Sequence, residues 1–249
     1  DFGEVENLQV SLKGPADFVT NADYKAEKII RQELSKARPD FAFLMEESGA
    51  SGDNDAPGRW IVDPIDGTVN FMHGIPHFSI SIALEQNGRI TAGVVYDPIK
   101  DEMFWAERGK GAYINAKRLR VSSRRTFDSA VAVTGIPASG MPDQHELYLR
   151  QLGAAMTHFA EVRRFGSAAL DLSYIAAGRF DAYWEIGPLK SWDIAAGMLI
   201  LQEAGGYMGS LDNPNPPWHG GSIIAANAGL YADFRKMLKK QVAEPLAKL

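Results

Sequence analysis

Trp60-Ile61-Val62-Asp63-Pro64-Ile65-Asp66-Gly67-Thr68 joins three apolar residues to an acidic turn. The apolar triplet reads as a short buried strand, and loops at strand ends commonly face a crevice. Pro64 fixes its own φ and pushes Asp63 into an extended shape, while Gly67 permits a sharp turn and close approach to a ligand. Two carboxylates held three residues apart in a stiff turn repel each other unless a cation lies between them. Hard divalent cations take such oxygen ligands. The amides of Gly67 and Thr68 are candidates to meet a phosphate oxygen, more so if a helical turn starts there. As a lone turn, Asp63 and Asp66 could equally form Asx-type turns and nothing more.

Upstream, Ala22, Ala26, Ile29, Ile30 and Leu34 recur at helical spacing, so 22–37 is predicted as a helix that Asn21 could cap. The apolar run 41–45 reads as a buried strand. Downstream, 78–84 and 90–96 read as strands joined by Asn87-Gly88, a strong hairpin signal. Strands at 103–106 and 111–114 continue this meander. Further strands are predicted at 129–134, 180–185, 207–209 and 223–226. Helices are predicted at 146–158, 168–177, 194–203 and 230–242. The mixture implies two α/β layers sharing one interface rather than a pure doubly wound sheet. The polar connection Ser122-Ser123-Arg124-Arg125 divides the chain into halves, 1–121 with the metal- and phosphate-binding turn and 122–249, within one compact unit.

Three other acidic features join the turn. Glu46-Glu47 ends the 41–45 strand, where it needs either solvent or a cation. Asp193 after Ser191-Trp192 is either the cap of the helix at 194–203 or a ligand projecting from its N-terminus. Asp23 lies in the first turn of its helix, where a carboxylate favours the positive end of the dipole. Lys13 and Asp17 read as an ordinary surface pair. His73 and His77 have metal-ligand spacing, but Gly74 and Pro76 between them argue against the helix that zinc binding would need. Phe180, Tyr183 and Trp184 read as packing, and 214–218 as a rigid loop without chemistry.

Bulk composition narrows the class. The 249 residues are 45% hydrophobic and 23% charged, enough for a sizeable core in one large or two small domains. With no cysteine there is no thiolate metal site, disulfide or Cys nucleophile, which fits a reducing, cytoplasmic setting. The net charge of −5 argues against a nucleic-acid surface driven by bulk charge. No apolar run is long enough to span a membrane.

Two long signatures some distance apart carry a family resemblance. Asp63 through Phe71 resembles the first signature of the inositol monophosphatase family, and Trp192-Asp193-Ile194-Ala195-Ala196-Gly197, continuing to Glu203-Ala204-Gly205-Gly206, resembles the second. Lys13…Asp17-Phe18-Val19-Thr20…Asp23, Glu46-Glu47-Ser48 and Gly166-Ser167-Ala168-Ala169 support it. The resemblance covers nearly the whole chain; the family pattern has a further short helix ahead of Asp1. It implies an α/β fold, a layered α-β-α-β-α sandwich of the sugar phosphatase superfamily, forming a homodimer, dependent on two to three Mg²⁺ per subunit and inhibited by Li⁺. Carried onto this chain, Glu46, Asp63 and the Ile65 carbonyl would hold one metal. Asp63, Asp66 and Asp193 would hold a second, and Glu46 with water a weaker third. Gly67 and Thr68 would bind phosphate through their amides. Asp23 and Thr68 would orient and help deprotonate the attacking water. Glu185, with Gly166, Ser167 and Ala168 nearby, would bind substrate hydroxyls alongside Asp193.

The implied reaction is hydrolysis of a phosphate monoester by in-line attack of a metal-activated water, without a phosphoenzyme. Val69-Asn70-Phe71 resembles the inositol-type members, so inositol 1-monophosphate ranks first among substrates. Fructose 1,6-bisphosphate or another sugar or histidinol phosphate follows. A regulatory binding protein that retains the fold is the non-enzymatic alternative.

Overall fold

The computed structural model describes residues 2, 10–14, 17–137, 141–211 and 216–243. Lys13 and Asp17 fall on segments whose side chains lie outside that description, as do residues 214–215 of the expected loop. In chain order the elements are β1 (Val10–Gly14), β2 (Asp17–Thr20), α1 (Asn21–Ala37), β3 (Ala42–Met45), β4 (Gly49–Ser51), β5 (Arg59–Asp66) and α2 (Thr68–Met72). Next come β6 (Ser79–Gln86), β7 (Arg89–Asp97), β8 (Glu102–Glu107), β9 (Gly111–Ile114), β10 (Lys117–Arg118), β11 (Val131–Thr134) and α3 (Pro142–His158). The chain continues through β12 (Glu161–Arg163), α4 (Ala168–Ala176), β13 (Ala182–Leu189), α5 (Ser191–Glu203), β14 (Tyr207–Ser210), β15 (Gly221–Ala226) and α6 (Tyr231–Ala243).

An eight-stranded sheet has the order β10-β9-β8-β7-β6-β5-β3-β4, and a five-stranded sheet the order β12-β11-β13-β15-β14. Strand periodicity fixes how the layers stack. On β5, Val62 joins Phe43 and Met45 against Ile30 and Leu34 of α1, while its neighbour Ile61 faces the opposite cluster with α4 and α5. On β13, Tyr183 faces α4 and α5, whereas Ala182, Trp184 and Ile186 face α3 and α6. Helix α1, the large sheet, the α4–α5 pair, the small sheet and the α3–α6 pair therefore form five layers, α-β-α-β-α, as the resemblance implied. Helices α4 and α5 lie between two sheets, which is why Ser191–Glu203 carries Ile194 through Leu201 all buried, with no polar face.

Several boundaries differ from the sequence expectation, each for a local reason. Thr20, not Asn21, caps α1: its side chain accepts from the Ala22 amide while Asp23 reaches back to the Thr20 amide. Helix α3 starts at Pro142, four residues early, because proline suits the first helical turn. Helix α5 starts at Ser191, so Asp193 is its third residue and not its cap. Strand β13 is displaced to Ala182–Leu189 and pairs irregularly with β15 past Glu185. The β6–β7 hairpin turns where expected, with φ of 51° at Asn87 and 70° at Gly88.

Candidate active site

Strand β5 delivers the acidic turn through a bulge. Asp63 stands opposite Ser81 on β6 and Asp66 opposite Ser79, so three steps on β5 match two on β6. Residues three apart on a regular strand face opposite sides; the extra residue at Pro64-Ile65 turns both carboxylates to one side. Both are buried. Gly67 then adopts φ 100°, and an added Cβ would meet the Gly166 carbonyl at 3.1 Å. Only glycine passes this junction at low cost. It opens the five-residue helix α2, so the helical turn conditional on Thr68 is present. Asn70 of α2 donates to the carbonyls of His77 and Phe165, both at 2.7 Å, and ties this helix to the turn leading into α4.

The other expected residues approach the bulge from α1, α2, α4, β13, α5 and the turn after β3. One Asp66 oxygen accepts from the Ser167 hydroxyl, from the Ala169 amide at 2.8 Å and from the Ser79 hydroxyl at 3.4 Å. The N-terminus of α4, Gly166-Ser167-Ala168, is thereby fixed beside it. Asp63 accepts from the Ile65 amide at 2.9 Å and shares a side-chain hydrogen bond with Glu46. Asp193 accepts from the Lys190 amide at 2.7 Å. Asp23, fully buried, takes the Thr20 amide (2.8 Å) and hydroxyl (2.5 Å) on one oxygen. Its other oxygen faces the Thr68 hydroxyl at 3.4 Å, and that hydroxyl also lies 3.1 Å from the Ile65 carbonyl.

Electrostatics report the same convergence. Burial, then the charges of Glu46, Asp66 and Asp193, push Asp63 well above the ordinary carboxylate range. Burial raises Asp66 to about 6, although its bonds to Ser167 and Ala169 pull the other way. Asp193 is raised by burial, against its bond to the Lys190 amide, and further by Asp66, Glu46 and Glu185. Glu185 is raised to about 7, mainly by burial, while the Tyr183 hydroxyl that donates to it opposes the shift.

A cavity of about 140 Å³ is lined in part by Asp66, Ser167, Glu185 and Asp193. Gly166 and Ala168 also border it, whereas Asp23, Glu46, Asp63, Gly67 and Thr68 are not among its lining residues. A larger cavity, about 570 Å³, lies under residues 50–59 and the β6–β7 turn and contains none of these site residues. Two charged residues that the sequence reading did not single out line the smaller cavity, Arg164 and Asp171. Asp171 is 1% exposed and one of its oxygens, Oδ1, has no hydrogen-bond partner among the described residues. Its sequence signal was a lone carboxylate between Leu170 and Leu172 in an otherwise apolar helix. His77, by contrast, is a core residue packed on Phe165 and Tyr174, and burial lowers it to about 4.

Among the described residues, no three His, Asp or Glu side chains already stand in a geometry that could hold a metal ion. The donor set nonetheless fits one chemically. Glu46, Asp63, Asp66 and Asp193 are hard oxygen donors whose charges raise the proton affinity of Asp63, Asp66 and Asp193, and a divalent cation relieves such crowding.

The comparisons with known proteins bear on the family and the fold. The family model described as "Inositol monophosphatase family" matches residues 2–248. A protein of Rhizobium meliloti named inositol-1-monophosphatase is 51% identical over 97% of this chain and 90% of its own length. The crystal structure of the extragenic suppressor protein suhB from Bartonella henselae superposes with a TM-score of 0.91 at 53% identity, covering 96% of this chain and 92% of that one. A Pasteurella multocida protein named Nus factor SuhB is 45% identical over 89% of this chain and 82% of its own. A layered fold with carboxylates gathered at a bulged strand end thus defines a class of phosphoric monoester hydrolases. This chain belongs to the inositol monophosphatase family.

Proposed function

We propose that this chain hydrolyses phosphate monoesters of small polyols with Mg²⁺, inositol 1-monophosphate first among them. The observation that carries the reading is the gathering of Glu46, Asp63, Asp66 and Asp193, from β5, α5 and the turn after β3, beside a cavity that Glu185 also lines. Glu46, Asp63, Asp66, Asp193 and the Ile65 carbonyl would hold the cation. Mg²⁺, when bound, neutralises phosphate charge and acidifies coordinated water. The chain's own residues do the rest. The amides that open α2 at Gly67 and Thr68 receive phosphate oxygens, since the first N–H groups of a helix lack intrahelical partners. Thr68 orients the attacking water and passes its proton toward the Asp23 oxygen that faces it. Glu185 accepts hydrogen bonds from the polyol's hydroxyls, with Gly166, Ser167 and Ala168 beside it. Two to three Mg²⁺ per subunit, Li⁺ inhibition, a homodimer and a cytoplasmic location accompany this reading as implications of the family.

The carboxylate set supports an enzyme; the name of the Pasteurella relative supports a second reading, a regulatory binding protein that retains the fold. Phosphate release from inositol 1-phosphate, fructose 1,6-bisphosphate, histidinol phosphate and a nucleoside 3′-phosphate, each with and without Mg²⁺, separates the two. Mg²⁺-dependent turnover fastest on inositol 1-phosphate is expected, and no turnover on any of them defeats the enzymatic reading. Asp63→Asn should cost more than the roughly 10–100-fold typical of losing a mere supporting partner of a metal ligand, with the circular dichroism spectrum unchanged.

A further inference from the structure

Helix α1 approaches the carboxylate cluster from the outer face of the large sheet. Its residues Asp23, Glu27 and Arg31 recur every fourth position and so form one row. Each member of the row grips a different part of the site's surroundings. Asp23 faces Thr68, as described above. Glu27 accepts the Glu47 amide at 2.9 Å. Arg31 donates to the Ser48 hydroxyl at 2.8 Å and the Ser51 hydroxyl at 2.9 Å.

These three hydrogen bonds of Glu27 and Arg31 end on the segment that leaves Glu46 and forms β4, and the Arg31 guanidinium also lies 4.8 Å from the centre of the Phe43 ring on β3. Glu46 itself is tied to β5, its amide donating to the Val62 carbonyl at 3.1 Å. Its main chain is therefore held by β5 at its own amide and by α1 at the next one. Glu27 is only 5% exposed and precedes Ile30 and Leu34, which pack on the same sheet. A polar group buried there is costly unless hydrogen-bonded, and the Glu47 amide supplies that bond to a Glu27 side-chain oxygen.

We propose that Glu27 is a positioning residue for Glu46. By fixing the Glu47 amide it sets the main-chain direction at Glu46, so one helix aligns both the Asp23–Thr68 pair and a cation ligand. This rests on the reading of Glu46 as a ligand of the divalent cation.

The test is Mn²⁺ binding to the full chain, followed by the paramagnetic resonance signal of free Mn²⁺, with thermal unfolding recorded alongside. Glu27→Gln keeps an oxygen at the same reach and should bind within about threefold of the unaltered chain. Glu27→Asp keeps the charge but shortens the reach, and should weaken binding by roughly 10-fold or more, as loss of a supporting partner does. Leu34→Ala loosens the same helix without touching the turn and should leave Mn²⁺ affinity unchanged. The proposal is overturned if Glu27→Asp binds as the unaltered chain does, if Glu27→Gln is the weaker of the two, or if Leu34→Ala weakens binding equally. If the unaltered chain takes up no Mn²⁺, the metal reading of the site itself fails; if it binds and only the pattern among variants is wrong, the role of Glu27 alone fails.

Discussion

Asp171 and Glu185 show what single residues contribute to the cavity. Burial, then the charges of Asp66 and Glu185, raise the Asp171 carboxyl well above 3.8, and Arg164 opposes this only in part. A carboxyl raised in the folded state favours folding while protonated. That advantage is lost as pH rises above the unfolded value of 3.8. Asp171→Asn has the same shape and no charge, so its unfolding midpoint should match that of the unaltered chain near pH 4 and exceed it increasingly toward pH 7. A difference that stays flat with pH would contradict the assignment. Glu185 is raised from 4.5 to about 7 and is a full carboxylate only above that value. If it accepts the substrate's hydroxyls, KM should fall as pH rises through 7, and Glu185→Gln should remove the dependence. At this scale the signatures were legible: Asp63, Asp66, Glu46, Asp193, Asp23 and Glu185 were all named from the sequence. Asp171 was not, because a helical carboxylate shows its importance only when its neighbours are known to be buried on every side.

Among elements, α4 and α5 matter most, since they begin at Ala168 and Ser191 and their first turns carry Ala168, Asp171 and Asp193 to the cavity. They pack so closely that a Cβ at Gly197 would lie 2.9 Å from the Leu172 Cβ. Helix propensity alone predicts that Gly197→Ala stabilises the chain by about 1 kcal/mol. The contact predicts the opposite, a loss of about 1–3 kcal/mol from overpacking. Urea unfolding decides between them, and the packing result is expected. Long apolar elements such as α5 and the β6–β7 hairpin were readable because their periodicity is internal. The short strands β4, β10 and β12 were not, being two or three residues each with at most one apolar side chain; they exist only through their partners. The β5 bulge was invisible for the same reason, since it is a relation between Asp63-Asp66 and Ser79-Ser81 rather than a property of either stretch.

For the molecule as a whole, the cluster is a local excess of negative charge that folding must bring together. A cation that binds the folded state alone raises its stability by mass action. Mg²⁺ should therefore raise the unfolding midpoint of the unaltered chain at neutral pH and have a much smaller effect on Asp63→Asn. Equal shifts in both would place the stabilising ion elsewhere. The sequence by itself determined the kinds of residue at the site, the order of the long elements and the membership of the family, because each of these is written in residue type and short-range spacing. Only the tertiary structure decided that Asp63 and Asp66 face one way, that Asp193 is the third residue of its helix rather than its cap, that Asp171 and Arg164 share the cavity, and that Glu27 reaches the turn beyond Glu46. Those facts depend on strand register and on contacts between residues far apart in the chain, which no local pattern encodes.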